Sequence, residues 1–253
     1  MFFETHHKMG QLMHDRMERL YPGRLLRDAF VYGNVKPDLL RKGAKDRHLL
    51  SDTLPFIELT SGFLCTPSVD PEEDAVLLGM VCHHVCDAFC RYHQEMALYR
   101  DYPRHLEYEL GLNAYFLECL HGGLYLSDEG RVRSTEQMAE ETDKDPAGKS
   151  AGNPTGNQTD GLVPAEAVQL VGGGTPAQME RVDQMLLENG VDVEVAAESP
   201  RGTRQSIVPV ILRLHVRRAA YAAAEPSFRL DLVSALEACA DMTDGILARR
   251  FSL

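Results

Sequence analysis

No run of about 18 apolar residues occurs in the chain, so no membrane-spanning helix is expected. The N-terminal stretch MFFETHHKMGQLMHDRM carries His, Lys, Asp and Arg where a secretory signal needs an apolar segment, and the expected location is therefore cytoplasmic. No internal repeat is visible. Gly172-Gly173-Gly174 lacks the lysine and flanking strand of a phosphate loop and reads as a flexible joint. The adjacent His-Asp dyad of an HD-type phosphohydrolase occurs only at His14-Asp15, and its companion His and Asp spacing is missing. An excess of positive charge is also lacking: 26 basic against 38 acidic residues give a formal net charge of −12. That balance offers no general attraction for nucleic acid or an anionic membrane, so no nucleic-acid partner is expected. Fifteen acidic and seven basic residues lie between Ser127 and Arg204, a balance of −8 that leaves −4 for the rest. The acidity therefore describes one segment rather than the candidate site.

What is present is a concentration of imidazoles and carboxylates in GMVCHHVCDAFCRYHQEMALYRDYPRHLEYE, residues 79–109. His83 and Asp87 stand four apart, as do His105 and Glu109, with His93 between the pairs. Side chains at i and i+4 share one face of a helix, so each pair can grip one ion from a single helix. Imidazole nitrogens with carboxylate oxygens are the donors of zinc sites that keep an open position for chemistry. His93 is expected to lie about 120° round the helix from Asp87 and so to point to a different ion or to none. Cys82, Cys86 and Cys90, three of six cysteines, recur at helical spacing and read as small core residues rather than disulfide partners or zinc thiolates.

The chain reads as an all-α multi-helix bundle around a multinuclear metal site, with a polar, partly disordered insertion. The expected organisation is a metal-binding helical core over 1–126, an acidic low-complexity insertion over 127–204, and C-terminal helices over 205–253 that pack back on the core. Phe2 to Leu20 is expected to be helical, with Met9, Leu12, Met13, Met17 and Leu20 inward, and Leu25 to Tyr32 a short second helix. Gly33 to Asp38 is expected to be a turn. A helix follows from His48 to Cys65, with Pro55 in its first turns. Pro71 and neighbouring carboxylates mark the start of a helix from Asp74 to about Tyr99, apolar on nearly every face and therefore central. Polar groups in such a helix need partners, since burying them unpaired costs a few kcal/mol each. A metal ion resolves the presence of His83 and Asp87. A helix after Pro103 is expected to run to about Tyr125 with Leu106, Leu110, Leu117 and Leu120 inward. Within the insertion, Ala177–Glu188 reads as a short helix and Val191–Val195 as a brief strand. Helices over Gln205–Ala224 and Ser227–Phe251 flank Pro226.

The ordered pattern Thr5-His6, Pro37-Asp38, His48, His83-x3-Asp87-x5-His93, His105-x3-Glu109 resembles the zinc-dependent phospholipase C family. Its superfamily also holds the fungal zinc-dependent single-strand nucleases. The closing HxxxE looks like the phospholipase branch, whereas the nuclease branch ends in HxxxD. The resemblance implies an all-helical protein with two to three zinc ions. It implies that His48, His83 and Asp87 hold one zinc and His93, His105 and Glu109 a second. His6 would hold a third, with Asp87 bridging, and Asp38 would act as general base or extra ligand. The family completes the third site with the amine and carbonyl of an N-terminal Trp. This chain has no Trp, and Met1 stands five residues before His6, so the Met1 α-amine is expected to cap that site.

The expected activity is hydrolysis of a phosphodiester, in a small molecule or a phospholipid headgroup, by a zinc-bridging hydroxide that Asp38 orients or deprotonates. The competing reading is a non-catalytic scaffold in which zinc staples helices together. Open His/carboxylate sites and a surplus Asp38 favour the enzyme. His7 and His84 read as neighbours of the ligands, Glu107 and Glu118 as surface groups, and His14, His121 and His215 lie outside the pattern. Phe56, Phe63, Tyr99 and Tyr102 could serve as an apolar rim for a phospholipid or as stacking partners for a nucleotide, with core packing the favoured reading.

Overall fold

The computed structural model describes residues 1–39, 49–66, 68–94, 96–134 and 201–251. His48, most of the expected insertion, and the helix and strand read at 177–188 and 191–195 lie outside the described residues. Among the described residues the chain forms eight α-helices and one small hairpin: α1 (Phe3–Leu20), α2 (Arg27–Leu39), α3 (Leu50–Leu64), α4 (Pro71–Asp87), α5 (Met96–Arg100), α6 (Tyr102–His121), β1 (Leu124–Leu126), β2 (Val132–Ser134), α7 (Arg201–Ala223) and α8 (Phe228–Phe251). The all-α expectation holds, and no described helix is long and apolar enough to cross a membrane.

The central helix is α4. Asp70 caps it, its side chain accepting hydrogen bonds from the Glu72 and Glu73 amides, with Pro71 at the first helical position where no N–H is needed. Leu77, Leu78, Met80, Val81, Cys82, Val85 and Cys86 are buried on all sides of it. Helices α1, α2, α3 and α8 pack around α4. Met9, Met13 and Met17 turn one face of α1 inward as expected, while Leu20 at the helix end is exposed.

Three expectations are corrected. Gly33 to Asp38 is not a turn; α2 runs straight through it. A Cβ on Gly33 would lie 2.1 Å from the Val76 carbonyl oxygen, and one on Gly79 would lie 2.2 Å from the Phe30 carbonyl oxygen. The glycine therefore serves the backbone-to-backbone approach of α2 and α4, and the helix stops at Leu39, two residues after Pro37, which cannot donate to the carbonyl one turn back. The second correction concerns α4, which ends at Asp87 rather than near Tyr99. It gives way to a 3-10 turn, Arg91–His93, and then to α5. The third concerns α6. Its buried residues are His105, Glu109, Leu112, Asn113 and Phe116, while Leu106 and Leu110 are exposed. Successive helical residues are about 100° apart, so turning His105 and Glu109 inward turns Leu106 and Leu110 out.

After α6, Gly122 and Gly123 stop the helix, Gly123 with φ 77°, a conformation that favours glycine. An unexpected hairpin follows, Leu124 facing Ser134 and Leu126 facing Val132. The C-terminal helices α7 and α8 sit where the sequence places them, separated around Pro226.

The contact of α2 with α4 is predicted to tolerate no side chain. Gly79→Ala should destabilise the fold by about 1–3 kcal/mol in urea denaturation, the usual range for overpacking. Gly62→Ala in α3, where nothing lies within 4 Å of the added Cβ, should be neutral or stabilising.

Candidate metal centre

Asp87 terminates α4 and points its wholly buried carboxylate into the space enclosed by α1, α2, α6 and the Arg91–His93 turn. Its Oδ1 lies 3.1 Å from His6 Nε2 of α1 and accepts a hydrogen bond from the Met1 amine. Its Oδ2 lies 3.3 Å from His83 Nε2, one turn back on α4, and 3.4 Å from His93 Nδ1. One carboxylate therefore touches three imidazoles and an amine. The His6 and His83 rings stack at 3.8 Å, both presenting Nε2 to Asp87.

On the far side of Asp87 a second group converges. Glu109 Oε1 lies 2.8 Å from His105 Nε2 and 2.9 Å from His93 Nε2, and the two imidazole nitrogens are 3.0 Å apart. The Met1 nitrogen is 3.1 Å from the same oxygen and 3.4 Å from His93 Nε2. The break after Asp87 is what makes this possible. A continued helix would carry His93 away, whereas the 3-10 turn folds it back against Asp87. The expectation that His93 faces away from Asp87 is thus corrected, and its Nε2 lies within 3.0 Å of both His105 and Glu109. Asp38, in the last turn of α2, places Oδ1 3.9 Å from His83 Nε2. Every candidate from the sequence pattern except His48, which is not described, meets at this place.

The donor chemistry fits a cation. His83 Nδ1 is 2.9 Å from the Asn34 carbonyl oxygen, which only accepts, so Nδ1 carries the proton. In a neutral ring Nε2 then aims a lone pair at the carboxylates of Asp87 and Asp38, an arrangement of acceptors that a metal ion reconciles. His105 repeats the device with Nδ1 3.4 Å from the Tyr99 carbonyl. Burial, helped by His83, lowers the His6 pKa to about 4, so this imidazole is neutral at pH 7. Burial opposes ionisation of Asp87, but His93, the Met1 amine, His83 and His6 outweigh it and hold the carboxyl well below its ordinary range. For Glu109 the same opposition is overcome by the Met1 amine, His105 and His93. Zinc with ligand bonds near 2.0–2.1 Å in tetrahedral geometry separates its donors by about 3.3 Å, close to the edges of the His93–His105–Glu109 triangle.

Two candidate metal groups emerge among the described residues: His6 with His83 and Asp87, and Cys90 with His93 and Glu109, each set of donor atoms within 4.8 Å of one another. His6 and His83 approach different oxygens of the Asp87 carboxylate, Oδ1 and Oδ2. Cys90 is buried, in keeping with a core residue. That burial pushes its thiol pKa well up, which disfavours a thiolate. The Asn34 and Tyr99 carbonyls are main-chain groups, and a backbone oxygen leaves no mark in sequence. Around the site, Tyr99 borders His93 and His105 at ring distances of 5.5 and 5.1 Å. Phe56 is core as expected, but Tyr102, the first residue of α6, is 65% exposed, because it stands at the open end of the helix.

No curated protein and no solved structure matches the chain. Residues 5–158 match the family model described as zinc dependent phospholipase C, which spans every candidate ligand except Met1. The chain belongs to the zinc-dependent phospholipase C family.

Proposed function

We propose that this protein is a zinc-dependent hydrolase of phosphodiesters, with phospholipid headgroups as the substrate class. The observation that carries the reading is the meeting of two His/carboxylate groups on the single buried carboxylate of Asp87, with a further acid, Asp38, at the edge. In this reading His6, His83 and Asp87 hold one zinc, joined by His48, and His93, His105 and Glu109 hold a second. The Met1 α-amine, between Asp87 and Glu109, caps a third position. Zinc held by such donors acidifies water and stabilises charge on phosphoryl oxygens.

The protein's own groups then have separate tasks. Asn34 and Tyr99 fix the tautomers of His83 and His105 through their carbonyl oxygens, so that both Nε2 atoms remain donors. Asp38 accepts a proton at its carboxylate and orients the attacking water for in-line displacement. Its carboxyl is held below the ordinary range, since His83, His6 and the Met1 amine together outweigh the opposing effect of burial. An ionised Asp38 at neutral pH is what a general base requires. The exposed apolar side chains Tyr102, Leu106 and Leu110 lie on α6 beside the His105–Glu109 face, an arrangement that suits an acyl-bearing substrate.

Elemental analysis should find two or three zinc ions per chain, and Asp87→Asn should lose metal together with turnover of bis-p-nitrophenyl phosphate and a short-chain glycerophospholipid. Zinc present without turnover of any phosphodiester would instead support a zinc-stapled scaffold. Asp38→Asn should keep its second-group zinc but lower kcat by about 100-fold or more, the usual loss on removing a general base. Adding residues before Met1 should cost one metal equivalent per chain, since an amide nitrogen in place of the α-amine has no lone pair to donate. Unchanged metal content would rule out the amine as a ligand.

A further inference from the structure

Asp231, in the first turn of α8, is wholly buried and touches none of the candidate ligands. Its carboxylate nonetheless receives three hydrogen bonds. Oδ2 accepts from the Arg91 amide at 3.0 Å and from the Tyr108 hydroxyl at 2.8 Å, and Oδ1 accepts from the Tyr221 hydroxyl at 2.7 Å. Each donor has a distinct address. Arg91 opens the turn that carries His93, and its amide is one of the first-turn donors that have no partner inside the turn itself. Tyr108 stands next to Glu109 and three residues after His105 on α6. Tyr221 belongs to α7. Between them, the Tyr92 ring lies 5.6 Å from His105 and 5.1 Å from Tyr108, filling the angle between turn and helix.

The chemistry explains why a carboxylate occupies this position. Removing a charge from water costs several kcal/mol, and an apolar side chain would serve packing alone. Three donors converging on one side chain need the lone pairs that a carboxylate offers. Burial pushes the Asp231 carboxyl up from its ordinary pKa, and the hydrogen bonds from Tyr221, Arg91 and Tyr108 act against that rise. What those bonds accomplish is geometric. One oxygen ties the element bearing His93 to the element bearing His105 and Glu109, and so holds His93 Nε2 and His105 Nε2, 3.0 Å apart, close to the spacing that two donors to one ion need.

We propose that Asp231 is the positioning residue of the His93–His105–Glu109 group, setting the separation of the Arg91–His93 turn from α6 through the Arg91 amide and the Tyr108 hydroxyl. The proposal rests on the metal-binding reading above. Asp231 lies beyond the residues matched by the family model, which end at 158. It assigns the C-terminal helices a part in the metal centre rather than in packing alone.

The test uses the full chain: wild type, Asp231→Ala, Asp231→Asn, and Asp244→Ala as a control. Asp244 pairs with the buried Arg16 at 2.7 Å and joins α1 to α8 without reaching the turn. Zinc affinity is measured by competition with a chromophoric chelator, the cobalt-substituted absorption spectrum reports ligand geometry, and apo-protein melting reports stability. Asp231→Ala should weaken one zinc equivalent by up to roughly tenfold, the low end of the range for losing a direct partner of a ligand because Asp231 acts at one remove, and leave the other near wild type. The cobalt bands of the weakened site should shift. Asp231→Asn should restore most of the affinity, because its carbonyl can accept from Arg91 and Tyr108 while its amide donates to the Tyr221 oxygen. Asp244→Ala should lower the melting temperature without separating the two equivalents. Should Asp231→Ala fail to fold, Tyr108→Phe decides, and the same equivalent should weaken. Wild-type affinity at both sites in the deciding variant overturns the proposal, as does parallel weakening of both sites like that of Asp244→Ala. Absence of zinc from the wild type overturns the metal reading itself, and this inference with it.

Discussion

Everything in the centre depends on the ionised carboxylate of Asp87, buried at the end of the most buried helix. An isolated carboxylate in such a place would take up a proton, because withdrawal from water costs several kcal/mol. Here three imidazoles and an amine approach its two oxygens, and the balance runs the other way. The bundle can be understood as the scaffold that brings those partners to one point. Helix α1 delivers His6, α2 delivers Asp38 and the Asn34 carbonyl, and the turn after α4 delivers His93. Helix α6 adds His105 and Glu109.

The closeness of α2 to α4 is the second constraint, and it serves the first. Gly33 and Gly79 let the two backbones touch, so that the Asn34 carbonyl lies within hydrogen-bond reach of His83. Larger residues there would push α2 outward and take Asp38 with it. A packing feature remote from chemistry thus sets the position of the proposed base. The Arg16–Asp244 pair and the hydrogen bonds of Arg16 to the Ser127 and Asp128 carbonyls fasten α1 to α8 and the hairpin in a similar way.

Much of this was legible in the sequence, for identifiable reasons. The i, i+4 pairs His83/Asp87 and His105/Glu109 are local features of a helix, and a helix writes its period into the chain. The apolar surround of α4 announced its central place for the same reason. The break after Asp87 was not legible, because Ala88 to Tyr99 keeps enough apolar character to continue a helical pattern. Without that break the meeting of His93 with Asp87 could not be seen. Gly33, Asn34 and Pro37 read as a turn because their usual role is to make one; only the approach of α4 shows why glycine is needed inside a helix. On α6, both the Leu106/Leu110 face and the His105/Glu109 face were available as the buried one, and the partners of the acid and imidazoles decided between them. The Asn34 and Tyr99 carbonyls carry no sequence signal, and Asp231, more than 120 residues from Glu109 in the chain, belongs to no local pattern.

The central claim is that two metal positions lie on either side of Asp87. An anomalous difference map from crystals of the full chain, collected on both sides of the zinc edge, tests it directly. The account predicts at least two zinc peaks, one among His6, His83 and Asp87, within bonding distance of the Asp87 carboxylate, and one among His93, His105 and Glu109. A well-ordered map with these side chains in place, grown with zinc present and showing no anomalous peak beside Asp87, would contradict it.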